Sequence, residues 1–332
     1  MKRLTLLLLL TLLACTSCTA LPAEERAFAV VLSVEKEADT WRVHARIPTY
    51  QTGGGYLTIT GEGANLSAAL SDMDASAPMH LHLSQLRLLV LDEKLGESAD
   101  LSVVFDELSA RADMRLQCAV AVTDTPAKEL MDALKPTTGA RLSKTIDGLL
   151  DTRIEQGGIL PATLADVRRM GERQSPVLIA MTMEEKELSL SGGYPLTSSL
   201  RLGTKLSPDE TALLSMMLGH AQNLRLPLPE GSAAVRDVST KIRLEERMQS
   251  VVVTLQLRTT ASSFTADGLE QLLAEESLSL LTRLSAEGCD VLGLGRKAIL
   301  RTHDMAVWHS LDWPGRYRQM VWVVSVQVNG PA

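Results

Sequence analysis

Apolar and polar positions follow two periods along this chain, and the changes of period mark where strands give way to helices. Phe28 to Val34 is an apolar run, and Trp41, Val43, Ala45 and Ile47 then alternate with polar residues. A hairpin with one buried face is predicted there. Gly53-Gly54-Gly55 is a loop tip, since no Lys-Ser/Thr follows to make a phosphate cradle. Tyr56 to Thr60 predicts a further strand, and Asn65 caps a helix through Leu66, Leu70 and Met73. Leu81 to Leu91 is dense in Leu and Val and predicts one central strand. Leu101 to Ala110 predicts a helix and Leu116 to Val122 a strand. Thr125 and Pro126 then fill the cap and first position of another helix.

From Pro136 to Arg173 the pattern is helical, interrupted by Gly139, Gly148 and Gly157-Gly158, with a short helix from Pro161 through Leu164, Val167 and Met170. Val177–Met183 and Glu187–Leu190 predict a second hairpin. Gly192-Gly193-Tyr194 is read as turning the chain into a new unit. Ser207-Pro208-Asp209-Glu210 has the form of a capping box with proline at the first helical position. Val238–Leu244 and Val251–Leu257 alternate strictly, as antiparallel strands with one wet face do. Asp267 is expected to cap a long helix with a stripe of Leu269, Leu272, Leu273, Leu280 and Leu284, stopped at Gly288. Gly293 and Gly295 read as turn glycines between helices. A closing strand runs from Met320 to Val328, and this sheet is expected to be covered by the long helix. Trp308 and Trp313 are expected either to plug the edge of that core or to dock a partner. The fold class is α+β and multi-domain, with mixed or antiparallel sheets flanked by helices. The expected division is 19–135, a middle or linker region 136–205, and a C-terminal unit 206–332.

The first eighteen residues obey neither period. Lys2 and Arg3 precede an apolar run from Leu4 to Ala14, too short to span a bilayer, which needs roughly 20 residues. The run closes on Leu12-Leu13-Ala14-Cys15, the aliphatic–small–cysteine form of a lipobox, so Cys15 is the expected lipidation site. Cys18 is the weaker choice, because Cys15-Thr16-Ser17-Cys18 lacks the aliphatic start. Two acyl chains on that thiol would hold the body to a membrane where one chain holds only marginally. The alternative is an ordinary secretory signal whose cysteines are incidental.

At 332 residues the chain has room for several domains, and at 3% aromatic content its core must come from aliphatic side chains and Met. The net charge of −7 becomes −9 without Lys2 and Arg3. No basic face appears, which excludes nucleic acid and argues against electrostatic adhesion to anionic lipid. Catalytic chemistry is also missing: there is no Gly-x-Ser-x-Gly elbow and no Cys/His signature, and the six histidines are scattered. Glu184-Glu185 and Glu275-Glu276 are sequence neighbours whose side chains diverge. His80 and His82 would share a strand face without a third ligand, so a surface pair is expected there and no metal. Cys118 and Cys289 are expected as buried thiols, with a disulfide between them left open. No cofactor is expected.

The last stretch, with a long helix, CDVLGLGRKA, WHSLDW and a Val-rich strand, resembles the end of the spore germination receptor C subunits, the GerAC or Ger(x)C lipoproteins. LRLGTKLSPDETALLSMMLG, ERAFAVVLSVEK and HLSQLRLLVLDEKLGES resemble further segments of the same family. The resemblance implies three α+β domains and no enzymatic activity. It also implies a lipid-anchored, extracytoplasmic subunit in the endospore inner membrane, beside two integral membrane subunits of A and B type. An unrelated extracytoplasmic ligand-binding lipoprotein is the rival reading.

Overall fold

The computed structural model describes residues 25–49, 55–98, 100–135, 141–170, 174–184, 187–221, 223–228, 231–245, 248–262, 264–302 and 305–329. The expected signal segment with Cys15 and Cys18, and the glycines at 53 and 54, lie outside them. Strands β1 (Arg26–Phe28), β2 (Val31–Glu37), β3 (Thr40–Pro48) and β4 (Tyr56–Gly63) open the chain. Helix α1 (Leu66–Ser76) follows, capped by the Asn65 side chain accepting the Ala68 amide. Next come β5 (His80–His82), β6 (Leu88–Asp92), α2 (Asp100–Ala110), β7 (Ala119–Thr123), α3 (Ala127–Ala133), α4 (Leu142–Glu155) and α5 (Leu164–Arg169). Strands β8 (Val177–Glu184) and β9 (Glu187–Pro195) complete a seven-stranded sheet in the order β4-β3-β2-β6-β7-β8-β9.

The four central strands of that sheet, β2, β6, β7 and β8, are mutually parallel, with antiparallel flanks. Both faces are covered, which is why Leu88–Leu91 of β6 reads as a continuous apolar run. Leu32, Val34, Leu89, Leu91, Val120 and Val122 face a core with α1, α2 and α5. Val31, Leu88, Val90, Ala121 and Ile179 face a second core with α3 and α4. At Gly61 and Gly63 on β4 a Cβ would overlap the backbone of α1, so the missing side chains let helix and strand close up.

Several expectations are corrected here. Phe28–Val34 is two strands, broken at Ala29-Val30, because the Val30 carbonyl turns to accept the Arg87 and Leu88 amides. Leu81–Leu91 is also two strands. Leu83 and Leu86 are fully buried but sit in a turn, and β5 pairs with β1 outside the large sheet. The strand predicted over 116–122 begins at Ala119. Pro126, not Thr125, is the N-cap of α3, without a side-chain cap; the first amide, of Ala127, is met by Glu35 from β2 instead. Gly192-Gly193-Tyr194 does not turn the chain, which stays in β9 to Pro195 and pairs with β8. The stretch 136–205 therefore contributes α4, α5, β8 and β9 to the first sheet and its cores.

Helix α6 (Pro208–Leu218) starts at the expected capping box of Ser207 and Glu210. Strands β10 (Asn223–Leu228), β11 (Gly231–Glu245), β12 (Ser250–Ser262) and β13 (Val321–Asn329) form a four-stranded sheet in that order. The first three are antiparallel and β13 joins parallel to β12. The crossover holds α7 (Ala266–Glu287), α8 (Leu294–Thr302), α9 (Met305–Ser310) and α10 (Trp313–Arg318). Thr265, not Asp267, caps α7, its hydroxyl accepting the Gly268 amide. Leu269, Leu273, Leu280, Leu281 and Leu284 of α7 are buried, while Leu272 is only half-buried.

Candidate functional site

The densest gathering of polar and aromatic side chains follows the end of α7. Gly288 closes that helix in the left-handed conformation, at φ +78°, where glycine is unstrained. Cys289 and Asp290 come next, and the Asp290 carboxylate accepts the amides of Leu294 (2.8 Å) and Gly295 (2.6 Å) at the start of α8. A carboxylate suits the positive end of a helix and meets amides that have no intrahelical partner. The Asp290 carbonyl accepts the Ser175 amide at 2.9 Å, tying this loop to the segment that enters β8.

Asp290 is 7% exposed, and burial pushes its carboxyl up to about 6 against the pull of the helix amides. The Trp313 indole N–H leans toward this carboxylate, which favours the charged form, but it completes no hydrogen bond. The Tyr317 hydroxyl donates to the Cys289 carbonyl at 2.9 Å. Trp308, Trp313, Tyr317 and Trp322 pack one against the next, the first two pairs tilted and the last edge-on, with ring centroids 5.8, 6.1 and 6.2 Å apart. Between the two sheets a cavity of about 30 Å³ is lined by Gln174, Ser175, Ser198, Asp290, Trp313 and Tyr317 among others. It has room for a water or two and none for a substrate.

A second polar cluster lies on β2, β3 and β4. The two ring nitrogens of His44 sit 2.8 Å from the Thr60 hydroxyl and 3.2 Å from the Glu35 carboxylate. The His44 hydrogen bond holds the Glu35 carboxyl below its usual range, despite burial. The Thr60 hydroxyl completes a Glu35–His44–Thr60 chain of hydrogen bonds, with Thr60 itself exposed on β4. The cysteine thiols are each pushed up to about 12 by burial and are poor nucleophiles at neutral pH. An open groove of about 350 Å³ lies between α2, α5 and the turn at 198–200, with Asp106 and Arg168 at its rim. Among the described residues, no group of three or more His, Cys, Asp or Glu could hold a metal, and no helix is long and apolar enough to cross a membrane.

Trp308 and Trp313 are 3% and 4% exposed and belong to the core of the second sheet. His80 is exposed, and the His82 ring packs beside Phe28 at 5.6 Å. Cys118 and Cys289 are both free and occupy different cores, so no disulfide links them. Sequence reasoning missed Asp290 as the organising carboxylate and missed the pairing of Glu35 with His44. An aspartate four and five residues before two helical amides is a signal for the first, hidden because Gly293 and Gly295 read as turn glycines. Only the β2–β3 register brings Glu35 and His44 together.

The profile of the spore germination protein N-terminal domain matches residues 20–183. The crystal structure of the GerBC protein superposes with a TM-score of 0.52 at 16% identity, over 91% of this chain and 97% of that one. That likeness is one of fold. No curated protein sequence matches the chain. Residues 20–183, just under half of the chain, are thus similar to the N-terminal domain of spore germination proteins, and the chain as a whole shares the fold of GerBC.

Proposed function

We propose that this chain is the lipid-anchored, non-catalytic subunit of a nutrient germinant receptor. It would sit on the outer face of the endospore inner membrane and assemble with two integral membrane subunits of A and B type. The observation that carries this reading is the match to the germination domain beginning at residue 20, separated by four residues (16–19) from the Leu12–Cys15 lipobox. Two acyl chains at Cys15 supply stable anchoring. The cores and the small Asp290 cavity, with room for water and none for a substrate, suit a rigid body that transmits or scaffolds. The open groove at Asp106 and Arg168 gives the rival ligand-binding reading a foothold, to be decided by metabolite binding to the purified chain.

The test is metabolic labelling with a fatty-acid analogue, joined to a germination assay. Cys15→Ala is expected to leave the precursor uncleaved and unlabelled, and spores carrying it are expected to respond poorly to the receptor's nutrient. Labelling that survives in Cys15→Ala and vanishes in Cys18→Ala would move the anchor to Cys18. Full germination without any label would remove anchoring from the function.

A further inference from the structure

The chain is acidic overall, yet helix α8 carries Arg296, Lys297 and Arg301 and no carboxylate. Strand β10 pairs with β11 only as far as Arg236, so the rest of β11 has no strand beside it on that edge among the described residues. Helix α8 lies along this gap. The Lys297 ammonium donates to the Ile242 carbonyl at 3.4 Å and the Arg301 guanidinium to that of Leu244. Arg243 lies between them in sequence and points to the open face of the sheet. No ion pair engages Arg243, Arg296, Lys297 or Arg301 among the described residues. The helix buries Leu294 and Ala298 and turns Arg296 and Leu300 the other way. Leu300 is 67% exposed, the most of any large apolar side chain among the described residues, and Val307 on the adjoining α9 is 45% exposed.

We infer that this face of α8 and α9 rests on an anionic lipid surface. The inference builds on the anchored reading above and adds to it an orientation. Cations that no carboxylate pairs among the described residues, with Arg296 turned outward beside Leu300, match the interface of a bilayer, where headgroup charge meets acyl chain. Net charge does not forbid this contact. At physiological salt the screening length is roughly 8 Å, so the lipid senses the local cations and not the acids of the distant sheet. The acyl anchor holds the body near the membrane, and α8 selects the side that faces it.

The test uses the full-length lipidated chain, in a Cys18→Ser background, with an environment-sensitive dye on Leu300→Cys. The native thiols at 118 and 289 are buried and do not compete for the label. Val103→Cys on α2 is the control site, being 39% exposed on the first sheet's helices. In vesicles of equal parts phosphatidylglycerol and phosphatidylcholine, the dye at 300 is expected to shift to the blue and to be quenched by brominated lipid, and the dye at 103 is not. Salt at about 0.5 M, with a screening length of roughly 4 Å, is expected to reverse most of the shift. Arg296→Gln, which breaks no hydrogen bond of the described residues, is expected to weaken the contact roughly fivefold. The inference is overturned if 300 behaves like 103, if phosphatidylcholine alone gives the same quenching, or if 300 is shielded only when the membrane subunits are present. Flotation of the unlabelled chain reads the anchor by itself. A chain that does not float fails the anchored reading, while quenching at 300 at raised lipid concentration is still required of α8.

Discussion

At the scale of single residues, Asp290 combines a strong structural role with an unfavourable charge. Its two amide bonds fix the start of α8, but the carboxylate has left water to make them. The proton is therefore held more tightly in the folded chain, at about 6, than in the unfolded one, where aspartate titrates near 4. The folded state binds more protons through this window, so the contribution of Asp290 to stability is full below about pH 4 and is lost as pH rises through 6. The difference amounts to roughly 3 kcal/mol. Asp290→Asn cannot ionise. It is expected to be less stable overall, because its amide N–H₂ faces a backbone donor, but to lack this fall. Urea unfolding of both chains between pH 4 and 7 checks it. Parallel pH profiles would mean that Asp290 is charged throughout and that burial is outweighed by the helix amides.

At the scale of elements, the Trp308–Trp313–Tyr317–Trp322 cluster is the central packing feature of the second sheet. Truncating a buried Trp removes both its transfer energy and its packing, so Trp308→Ala and Trp313→Ala are each expected to cost ~3–5 kcal/mol. Trp313→Phe is expected to cost much less, because the indole N–H it removes has no hydrogen-bond partner and so leaves none stranded. Thermal melts of the three variants test this. Unchanged melting temperatures for both alanine variants would make the segment a docking surface and not a core.

How much of this was legible in the sequence depends on whether the burial of each element is one-sided. The β11 and β12 alternation is visible because one face is wet, and the Ser207 box because a cap is a local device. The break between β5 and β6 is not visible, since Leu83 and Leu86 fill the core from a turn with the same residues a strand would use. The continuation of β9 through Gly192-Gly193 is hidden for another reason. These glycines answer to the approach of Leu206 and Val177, which are remote neighbours, and not to a local turn.

At the scale of the whole molecule, the decisive region is where the seven-stranded and four-stranded sheets meet. The chain passes from β9 to α6 through residues 196–207, bridged back at Leu196–Leu202 and Gly193–Leu206. From the second sheet, the Glu287 carboxylate at the end of α7 accepts the Thr204 amide at 3.0 Å, and the Asp290 carbonyl accepts that of Ser175. Gly203 sits inside this clasp. A Cβ there would stand 2.7 Å from Glu287 Oε2 and 3.1 Å from both Cys289 Sγ and Pro195 Cγ. With so many ties crossing one strip, the two sheets are expected to unfold as one cooperative unit, although each has its own core. Gly203→Val is expected to push Glu287 off the Thr204 amide at a cost on the order of 2 kcal/mol. The parent's calorimetric and van't Hoff enthalpies are expected to agree, and those of the variant to diverge as the halves melt apart. A parent that already melts in two steps would show that the clasp carries no coupling. The same conclusion holds if Gly203→Val keeps a single transition at the parental temperature.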